Sequence, residues 1–192
     1  MKKIVEIAHD LILEYAPKDM ISVDFTMGRG NDTLLLAKYS RYVYAFDIQL
    51  ECIEETRAKL HMYNLHNVKL ICASHADADN YISEKIHAGI FNFGYLPQSD
   101  QQITTTVTTS SIAVKKALAM LEVKGILVLV LYPGHPAGYE EGEYFDDWTK
   151  QLPSRYYHVM RMEMWNKDKA PYILAIQKIR EEETYECESS YI

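Results

Sequence analysis

The chain has 192 residues, of which 48% are hydrophobic, and its formal net charge is −7. A chain of this size can bury one sizeable core, and we expect a single domain. Its longest apolar run, residues 126–131, is far shorter than the roughly 20 residues that a membrane span requires. The negative charge argues against nucleic-acid binding by bulk electrostatics. Three widely spaced cysteines fit neither a disulfide framework nor a zinc site, which favours a cytoplasmic protein without a metal.

Apolar segments alternate with helix-forming segments along the chain. The first helix is predicted over residues 2–16, which carry apolar side chains on one face. Strands are predicted at 20–24, 42–47, 68–72, 88–93 and 125–131, and helices at 31–39, 49–64, 78–86, 107–122 and 140–151. Two strand-like runs, 156–164 and 171–179, complete the pattern as a hairpin.

This order predicts an α/β fold with a doubly wound, mostly parallel sheet of seven strands and a C-terminal antiparallel hairpin. Residues 1–180 are predicted to form the single domain. Residues 181–192 contain five glutamates and no basic residue, so we expect an acidic, disordered tail. In such a sheet, ligands bind beyond the carboxyl ends of the strands, where the strand order reverses.

Segment 24–33, Asp-Phe-Thr-Met-Gly-Arg-Gly-Asn-Asp-Thr, lies between the first strand and the following helix. Its two glycines can adopt positive φ and admit a ligand close to the backbone, toward which the first N–H groups of the helix also point. The alternative is an ordinary strand-to-helix turn. On the first interpretation the segment binds a cofactor through Asp24, Thr26, Met27, Gly28, Gly30, Asn31, Asp32 and Thr33.

The glycine segment also narrows the type of cofactor. Thr33 replaces the third glycine of a dinucleotide-binding turn, and the Gly-Lys-Ser/Thr of a phosphate-binding loop is absent. Asp24 suits a cationic ligand, and Asp47, at the end of the second strand, suits two ribose hydroxyls. Residues 74–77, after the third strand, suit an adenine amino group.

A cofactor with a cation, a ribose and an adenine but no phosphate is S-adenosylmethionine. We expect its site to include Asp47, Ile48, Gln49, Ser74, His75 and Asp77 in addition to the glycine segment. The alternative for Asp47 and Asp77 is that each caps a helix.

Asn92-Phe93-Gly94-Tyr95 follows the fourth strand and is similar to the Asn/Asp-Pro-Pro-Tyr/Phe signature of enzymes that methylate nitrogen. In that signature a side-chain amide oxygen and a backbone carbonyl accept hydrogen bonds from the target N–H and aim its lone pair at the methyl group. Asn92 is therefore predicted to be catalytic and to border the cofactor. The three cysteines lie neither here nor after the fifth strand, which argues against methylation of a pyrimidine carbon through a cysteine nucleophile.

An alkylamine substrate would need to lose a proton. If its pKa is about 10, neutralising it at pH 7 costs roughly 4 kcal/mol, so the site should desolvate the amine or supply a proton acceptor. The candidate catalytic residues for this role are Tyr95, Asp100 and His135. The alternatives are packing for Tyr95, a solvated turn for Asp100 and a loop-shaping role for His135.

The hydroxyl-rich segment 104–111 precedes a predicted helix, and Thr105 and Thr106 are candidates for phosphate contact. Helix capping is the alternative for such residues. Tyr132, directly after the fifth strand, is the favoured contact for a base, because aromatic side chains stack on unpaired bases.

Four blocks occur in order at the predicted strand ends: 24–33, Phe46-Asp47-Ile48-Gln49, 91–97 (Phe-Asn-Phe-Gly-Tyr-Leu-Pro) and Gly134-His135-Pro136-x-Gly138. Together they resemble the small bacterial class I methyltransferases long labelled putative rRNA methylases, over about residues 1–180. The family usually has Gly-Gly-Asp where this chain has Gln98-Ser99-Asp100, and Ser-His-Asp where it has residues 74–77.

The resemblance implies a Rossmann-like class I methyltransferase fold and S-adenosylmethionine as methyl donor. Members of the family methylate the amine of 5-aminomethyl-(2-thio)uridine at the wobble position of tRNA, giving 5-methylaminomethyl-(2-thio)uridine. The implied partner is the tRNA anticodon stem-loop, with no membrane and no metal, and a homodimer is left open. The residues alone also allow an rRNA methyltransferase, a small-molecule N- or O-methyltransferase, or a non-enzymatic partner module.

Overall fold

The computed structural model describes residues 1–93 and 106–182. Within these ranges, seven strands form one sheet: β1 (Met20–Asp24), β2 (Ser40–Asp47), β3 (Val68–Cys72), β4 (Ile86–Asn92), β5 (Leu121–Leu131), β6 (Tyr157–Met162) and β7 (Tyr172–Lys178). The α-helices are α1 (Ile4–Tyr15), α2 (Asn31–Tyr39), α3 (Leu50–Met62), α4 (Val107–Met120) and α5 (Pro136–Lys150), and a 3-10 helix, His75–Asn80, follows β3.

The strand order in the sheet is β3-β2-β1-β4-β5-β7-β6. Strands β1 to β5 pair in parallel, and β7 runs antiparallel to both of its neighbours, β5 and β6. This confirms the predicted doubly wound sheet with its C-terminal hairpin. The order reverses at β1, which lies between β2 and β4, so a ligand crevice is expected beyond the carboxyl ends of β1 and β4.

Helices cover the sheet on both faces. Helices α1, α2 and α3 contribute to the core on one face, and α4 and α5 contribute to the core on the other. Strand β5 shows the consequence for the sequence. Leu127 and Leu129 pack into the core under α4 and α5, Val128 and Val130 pack into the core under α1, α2 and α3, and all four have no exposed surface. A strand covered on both faces needs such an uninterrupted apolar run.

The predicted helix over 78–86 is wrong. The chain instead forms the 3-10 helix at His75–Asn80, and β4 begins at Ile86. Ser74 caps the 3-10 helix by accepting the N–H of Ala76 at 3.2 Å, and Lys116 of α4 donates to the Ala76 carbonyl at 2.6 Å. Because this carbonyl and the buried Ile82 are fixed by tertiary contacts, a short 3-10 helix is favoured over a regular α-helix.

The other predicted elements are present with shifted ends. Helix α5 begins at Pro136 rather than 140, because His135 caps it by accepting the N–H of Gly138 at 3.1 Å and proline fits the first helical turn. Strand β5 begins at Leu121 rather than 125. In the described part of the chain, no helix combines the length and the apolar composition needed to cross a bilayer.

Candidate active site

The loop that joins β1 to α2 is fixed by backbone hydrogen bonds to both neighbouring strands. The N–H of Phe25 donates to Ile90 of β4 at 3.0 Å, and the N–H of Met27 donates to Phe46 of β2 at 2.9 Å. Gly28 and Gly30 have φ angles of 50° and 74°, the left-handed conformation that favours glycine. The loop therefore lies across the point where the strand order reverses.

Helix α3 supports this loop from outside. A Cβ atom at Gly30 would come within 2.4 Å of Thr56 Oγ1, so α3 leaves no space for a side chain there. Lys59 Nζ donates to Asn31 Oδ1 at 3.1 Å, and the side chain of Met27 is buried in the core. Because the N–H and the carbonyl of Met27 are both hydrogen-bonded within the protein, we infer that Met27 holds the loop in shape and that Asn31 acts at the rim of the site.

Asp24 ends β1 and has no exposed surface. Its Oδ2 accepts the hydroxyl of Thr33 at 2.6 Å, and its Oδ1 accepts the N–H of Thr26 at 3.2 Å. Burial raises the pKa of Asp24 to about 8, and the nearby charge of Asp32 acts in the same direction. Both oxygens serve the loop, so we propose that Asp24 and Thr33 act on a cofactor by holding the loop in shape.

The raised pKa of Asp24 predicts a pH-dependent stability. The folded state keeps a proton that the unfolded state releases above its ordinary pKa of 3.8, so the free energy of unfolding should fall as pH rises from about 4 to 8. Asp24→Asn imitates the protonated side chain and should be more stable than the wild type by on the order of 2 kcal/mol at pH 8. Urea unfolding at pH 5 and pH 8 measures this.

The difference between the two chains should be clearly smaller at pH 5, where the wild type has lost only part of this stability. Asp19→Asn, which changes an acid whose side chain is 83% exposed, is the matched control and should shift neither value. A stability difference between Asp24→Asn and the wild type that is the same at both pH values would contradict the assignment.

Asp47 ends β2 and is half-buried. Its Oδ2 accepts the N–H of Gly28 and its Oδ1 accepts the N–H of Gln49, both at 2.9 Å. A carboxylate has about four acceptor positions, so capacity remains for ribose hydroxyls. Ile48 is 61% exposed beside it and offers an apolar surface. The capping alternative is wrong, because Gln49 is the N-cap of α3 and Asp47 only accepts the N–H of that cap residue.

His75 lies beside the glycine loop and contacts its first residue. Its Nδ1 is 3.1 Å from the carbonyl of Phe25, to which it donates. Burial lowers the pKa of His75, which favours the neutral ring, in which Nε2 is an acceptor. Among the described residues, this buried Nε2 has no hydrogen-bond partner. A ligand N–H, such as an adenine amino group, would supply the missing partner.

The other two residues predicted around the adenine have different positions. The Ser74 hydroxyl is engaged in capping the 3-10 helix. Asp77 is exposed in the first turn of that helix, and it is not the capping residue. We propose that His75 is the main polar contact from this segment.

Asn92 ends β4 directly opposite the glycine loop. Its backbone N–H donates to Thr26 Oγ1 at 2.7 Å, and its side-chain Nδ2 donates to Asp32 Oδ2 at 3.1 Å. Asp32 is 6% exposed, and its other oxygen lies 2.7 Å from His9 Nε2 on α1. The loop and the predicted catalytic amide therefore form one connected unit, in which Asp32 faces protein rather than solvent.

No sequence pattern singles out His9, because it meets Asp32 only through the packing of α1 against α2. On the predicted amphipathic helix, His9 lies where a histidine without any functional role is equally expected, at the border of the apolar face.

Tyr132 follows β5 and contributes to the same group of residues. Burial raises the pKa of Tyr132 to about 12, the charge of Asp32 raises it further, and a hydrogen bond with Asn92 acts in the opposite direction. At neutral pH its hydroxyl is therefore uncharged and suited to hydrogen bonding rather than to accepting a proton. The structure brings Asn92, Asp32 and Tyr132 together at the carboxyl ends of β4 and β5.

Two further predicted residues are helix caps. His135 Nδ1 accepts the N–H of Gly138 at the start of α5, and Thr106 Oγ1 accepts the N–H of Thr109 at the start of α4. Both alternatives weighed from the sequence, loop shaping and capping, are thus present in the structure. A proton-accepting role for His135 and phosphate contact by Thr106 stay predictions.

The remaining predicted residues, Tyr95, Asp100 and Thr105, lie in 94–105, outside the described residues.

Among the described cysteines, Cys52 is buried, and burial raises the pKa of its thiol to about 12, which does not suit a nucleophile. Cys72 is exposed at the end of β3. In the described ranges no group of three His, Cys, Asp or Glu side chains could hold a metal ion.

The turn between β6 and β7 lies at the same edge of the sheet. Tyr172, which begins β7, pairs with Leu131, and so places the turn beside Tyr132. Trp165 in this turn is 92% exposed. A cavity of about 210 Å³ next to it is lined by Pro133, Tyr139, Gly142, Glu143, Asp146, Arg161, Glu163, Met164, Lys167, Lys169, Ala170 and Tyr172.

A doubly wound sheet with this strand order, a glycine loop after β1, an acid after β2 and an asparagine after β4 defines a class I, S-adenosylmethionine-dependent methyltransferase. The family model described as "Putative rRNA methylase" matches residues 43–178. The chain belongs to this family, which confirms the resemblance seen in its sequence.

Individual methyltransferases are similar to this chain in sequence and in structure. The chain is 32% identical over 191 residues to the chloroplastic tRNA (mnm(5)s(2)U34)-methyltransferase of Arabidopsis thaliana, covering 92% of this chain and 70% of that protein. A methyltransferase from Streptococcus mutans, solved in complex with SAH, has a TM-score of 0.86 and 36% identity, covering 93% of this chain and 99% of that one. An rRNA-methylase structure from Clostridium thermocellum has a TM-score of 0.89 and 34% identity over the same shares.

Proposed function

We propose that this enzyme N-methylates the aminomethyl group of 5-aminomethyl-(2-thio)uridine at the wobble position of tRNA. The observation that carries the proposal is the placement of Asn92, whose side-chain amide is fixed by Asp32 beside the glycine loop. An amide oxygen held at the methyl-donor site suits an amine target. The name of the Arabidopsis thaliana relative supports tRNA as the substrate.

S-adenosylmethionine is the methyl donor, and when bound it supplies an electrophilic methyl group on a sulfonium. The residues that would hold it are the backbone of the glycine loop, the Asp47 carboxylate and His75 Nε2. The relative from Streptococcus mutans, which was solved with SAH, supports this assignment. Asn92 would orient the amine, and Tyr132 would help to hold the uracil or its substituent.

The substrate amine must reach the site with a free lone pair. Burial of Asp24 and Asp32, with Tyr132 partly buried beside them, indicates a poorly hydrated site, which favours the neutral amine over the ammonium form. Tyr95, Asp100 or His135 is proposed to take the proton that the nitrogen releases after methylation. We place the reaction in the cytoplasm at the tRNA anticodon stem-loop, and a homodimer stays a proposal.

The substrate class is tested by methyl transfer from labelled S-adenosylmethionine to three acceptors. We expect label in tRNA from cells that make 5-aminomethyl-2-thiouridine, and none in rRNA. Free small amines should be poor acceptors, because the RNA provides most of the binding surface. Transfer to rRNA alone, or to a free amine as rapidly as to tRNA, would contradict the proposal.

The exposed turn predicts an RNA contact. Trp165 is available for stacking, and Lys167 and Lys169 on the same turn have no ion-pair partner among the residues that the structure describes. Stacking of one base on an aromatic side chain contributes about 1–3 kcal/mol, so Trp165→Ala should raise the KM for tRNA roughly tenfold. The affinity for S-adenosylmethionine should not change.

Tyr39→Ala is the matched control for this prediction. Tyr39 is also an exposed aromatic residue, at 53%, but it ends α2 at the amino edge of the sheet, away from the site. An unchanged KM for tRNA in Trp165→Ala, or an equal rise in both variants, would remove the turn from the RNA-binding surface.

A further inference from the structure

The side chains of His9, Asp32 and Asn92 link helix α1 to the carboxyl end of β4. His9 Nε2 lies 2.7 Å from Asp32 Oδ1, and Asp32 Oδ2 accepts a hydrogen bond from Asn92 Nδ2 at 3.1 Å. The side chains of His9 and Asp32 are only 17% and 7% exposed. The link is therefore shielded from solvent, where such hydrogen bonds hold geometry most effectively.

The chemistry of these groups determines which atom donates and which accepts in each hydrogen bond. A carboxylate accepts hydrogen bonds and cannot donate, so Asp32 requires an N–H from each of its two partners. His9 must present Nε2–H, and Asn92 must present its amide nitrogen rather than its oxygen. An asparagine without such a partner can flip, because its two ends have nearly the same shape. Asp32 thus selects one orientation of the Asn92 amide and turns Oδ1 away from itself.

We propose that Asp32, held in place by His9, is a positioning residue that presents Asn92 Oδ1 to the substrate amine. The inference rests on the proposed N-methylation. The amine lone pair forms the bond to the methyl carbon as the carbon–sulfur bond breaks toward sulfur, and the nitrogen then releases one proton to the acceptor proposed for this reaction. Positive charge grows on that nitrogen, and Oδ1 accepts its N–H. The Asp32 carboxylate behind the amide makes Oδ1 a stronger acceptor.

Four variants test the proposal in steady-state methyl transfer to tRNA. Asp32→Asn leaves the Asn92 amide with partners, the introduced asparagine side chain and the Tyr132 hydroxyl, that can donate or accept, so the amide can take either orientation, and kcat should fall roughly 10–100-fold, with KM and the Kd for S-adenosylmethionine within about threefold. His9→Ala should lower kcat about tenfold, and His9→Gln, which keeps an N–H donor at that position, should recover most of it. Glu14→Ala, on the exposed side of α1, is the control and should behave as wild type.

A second measurement needs no substrate. In the NMR spectrum of the wild type, the side-chain amide signal of Asn92 can be assigned from its loss in Asn92→Ala. We expect it to shift in Asp32→Asn and His9→Ala and to return toward its wild-type position in His9→Gln.

Two results would overturn the inference. One is wild-type kcat in both Asp32→Asn and His9→Ala, and the other is an unmoved Asn92 amide signal in both. If the wild type methylates no tRNA, the proposed function fails separately, and the position of the amide signal alone then decides whether Asp32 and His9 position Asn92.

Discussion

Asn92→Ala is expected to lower kcat for tRNA methylation roughly 10²–10³-fold, the usual effect of removing one oriented polar group from an active site. The amide of Asn92 would be the group that aligns the amine lone pair, and alanine offers no acceptor. The backbone N–H of residue 92 still donates to Thr26 Oγ1 in the variant, so the glycine loop should keep its shape. Single-turnover methyl transfer measures the loss.

The binding of S-adenosylmethionine distinguishes this outcome from misfolding. Calorimetry should give an affinity for S-adenosylmethionine within about threefold of the wild type, because Asn92 acts on the amine rather than on most of the cofactor. Asn80→Ala, which changes an exposed asparagine at the end of the 3-10 helix, is the control. Full activity in Asn92→Ala would remove the amine-orienting role.

Asp47→Ala is expected to weaken S-adenosylmethionine binding by roughly 2–4 kcal/mol through the loss of charge-assisted hydrogen bonds. Two causes add here. The carboxylate would no longer accept from the ribose hydroxyls, and it would no longer hold the N–H groups of Gly28 and Gln49. Isothermal titration calorimetry with S-adenosylmethionine measures the change.

Two further variants test whether the loss belongs to the Asp47 carboxylate. Asp47→Asn keeps one acceptor oxygen and should fall between Asp47→Ala and the wild type. Glu51→Ala removes an exposed acid from the first turn of α3 and should leave the affinity unchanged. An unchanged affinity in Asp47→Ala would overturn the assignment of Asp47 to the cofactor.

The sheet could be predicted from the sequence because its signals are local. The apolar runs of β1 and β5 are each bounded by helix-forming segments, and the strand ends carry Asp24, Asp47 and Asn92 in order. The segment 78–86 does not form the helix that its sequence predicts, because the contacts that hold the 3-10 helix at its start come from Lys116, which is distant in sequence.

The site could be predicted by location better than by role. The segment 24–33 does form the loop at the strand-order reversal, yet Asp24 and Thr33 are buried against each other inside it. Membership of a motif does not reveal which side chains face a ligand and which hold the backbone. The role of His9 could not be predicted from the sequence, because His9 meets its partner Asp32 only when α1 packs on the sheet.

The identity of the methylated nucleoside tests the proposed activity of this enzyme most directly. Purified enzyme, S-adenosylmethionine and tRNA bearing 5-aminomethyl-2-thiouridine are incubated, and the digested tRNA is analysed by mass spectrometry. We expect loss of 5-aminomethyl-2-thiouridine and matching gain of 5-methylaminomethyl-2-thiouridine, one methylene group heavier, with the added carbon on the side-chain nitrogen. Unchanged 5-aminomethyl-2-thiouridine, or a methyl group found on the ring, the ribose or another nucleoside, would contradict it.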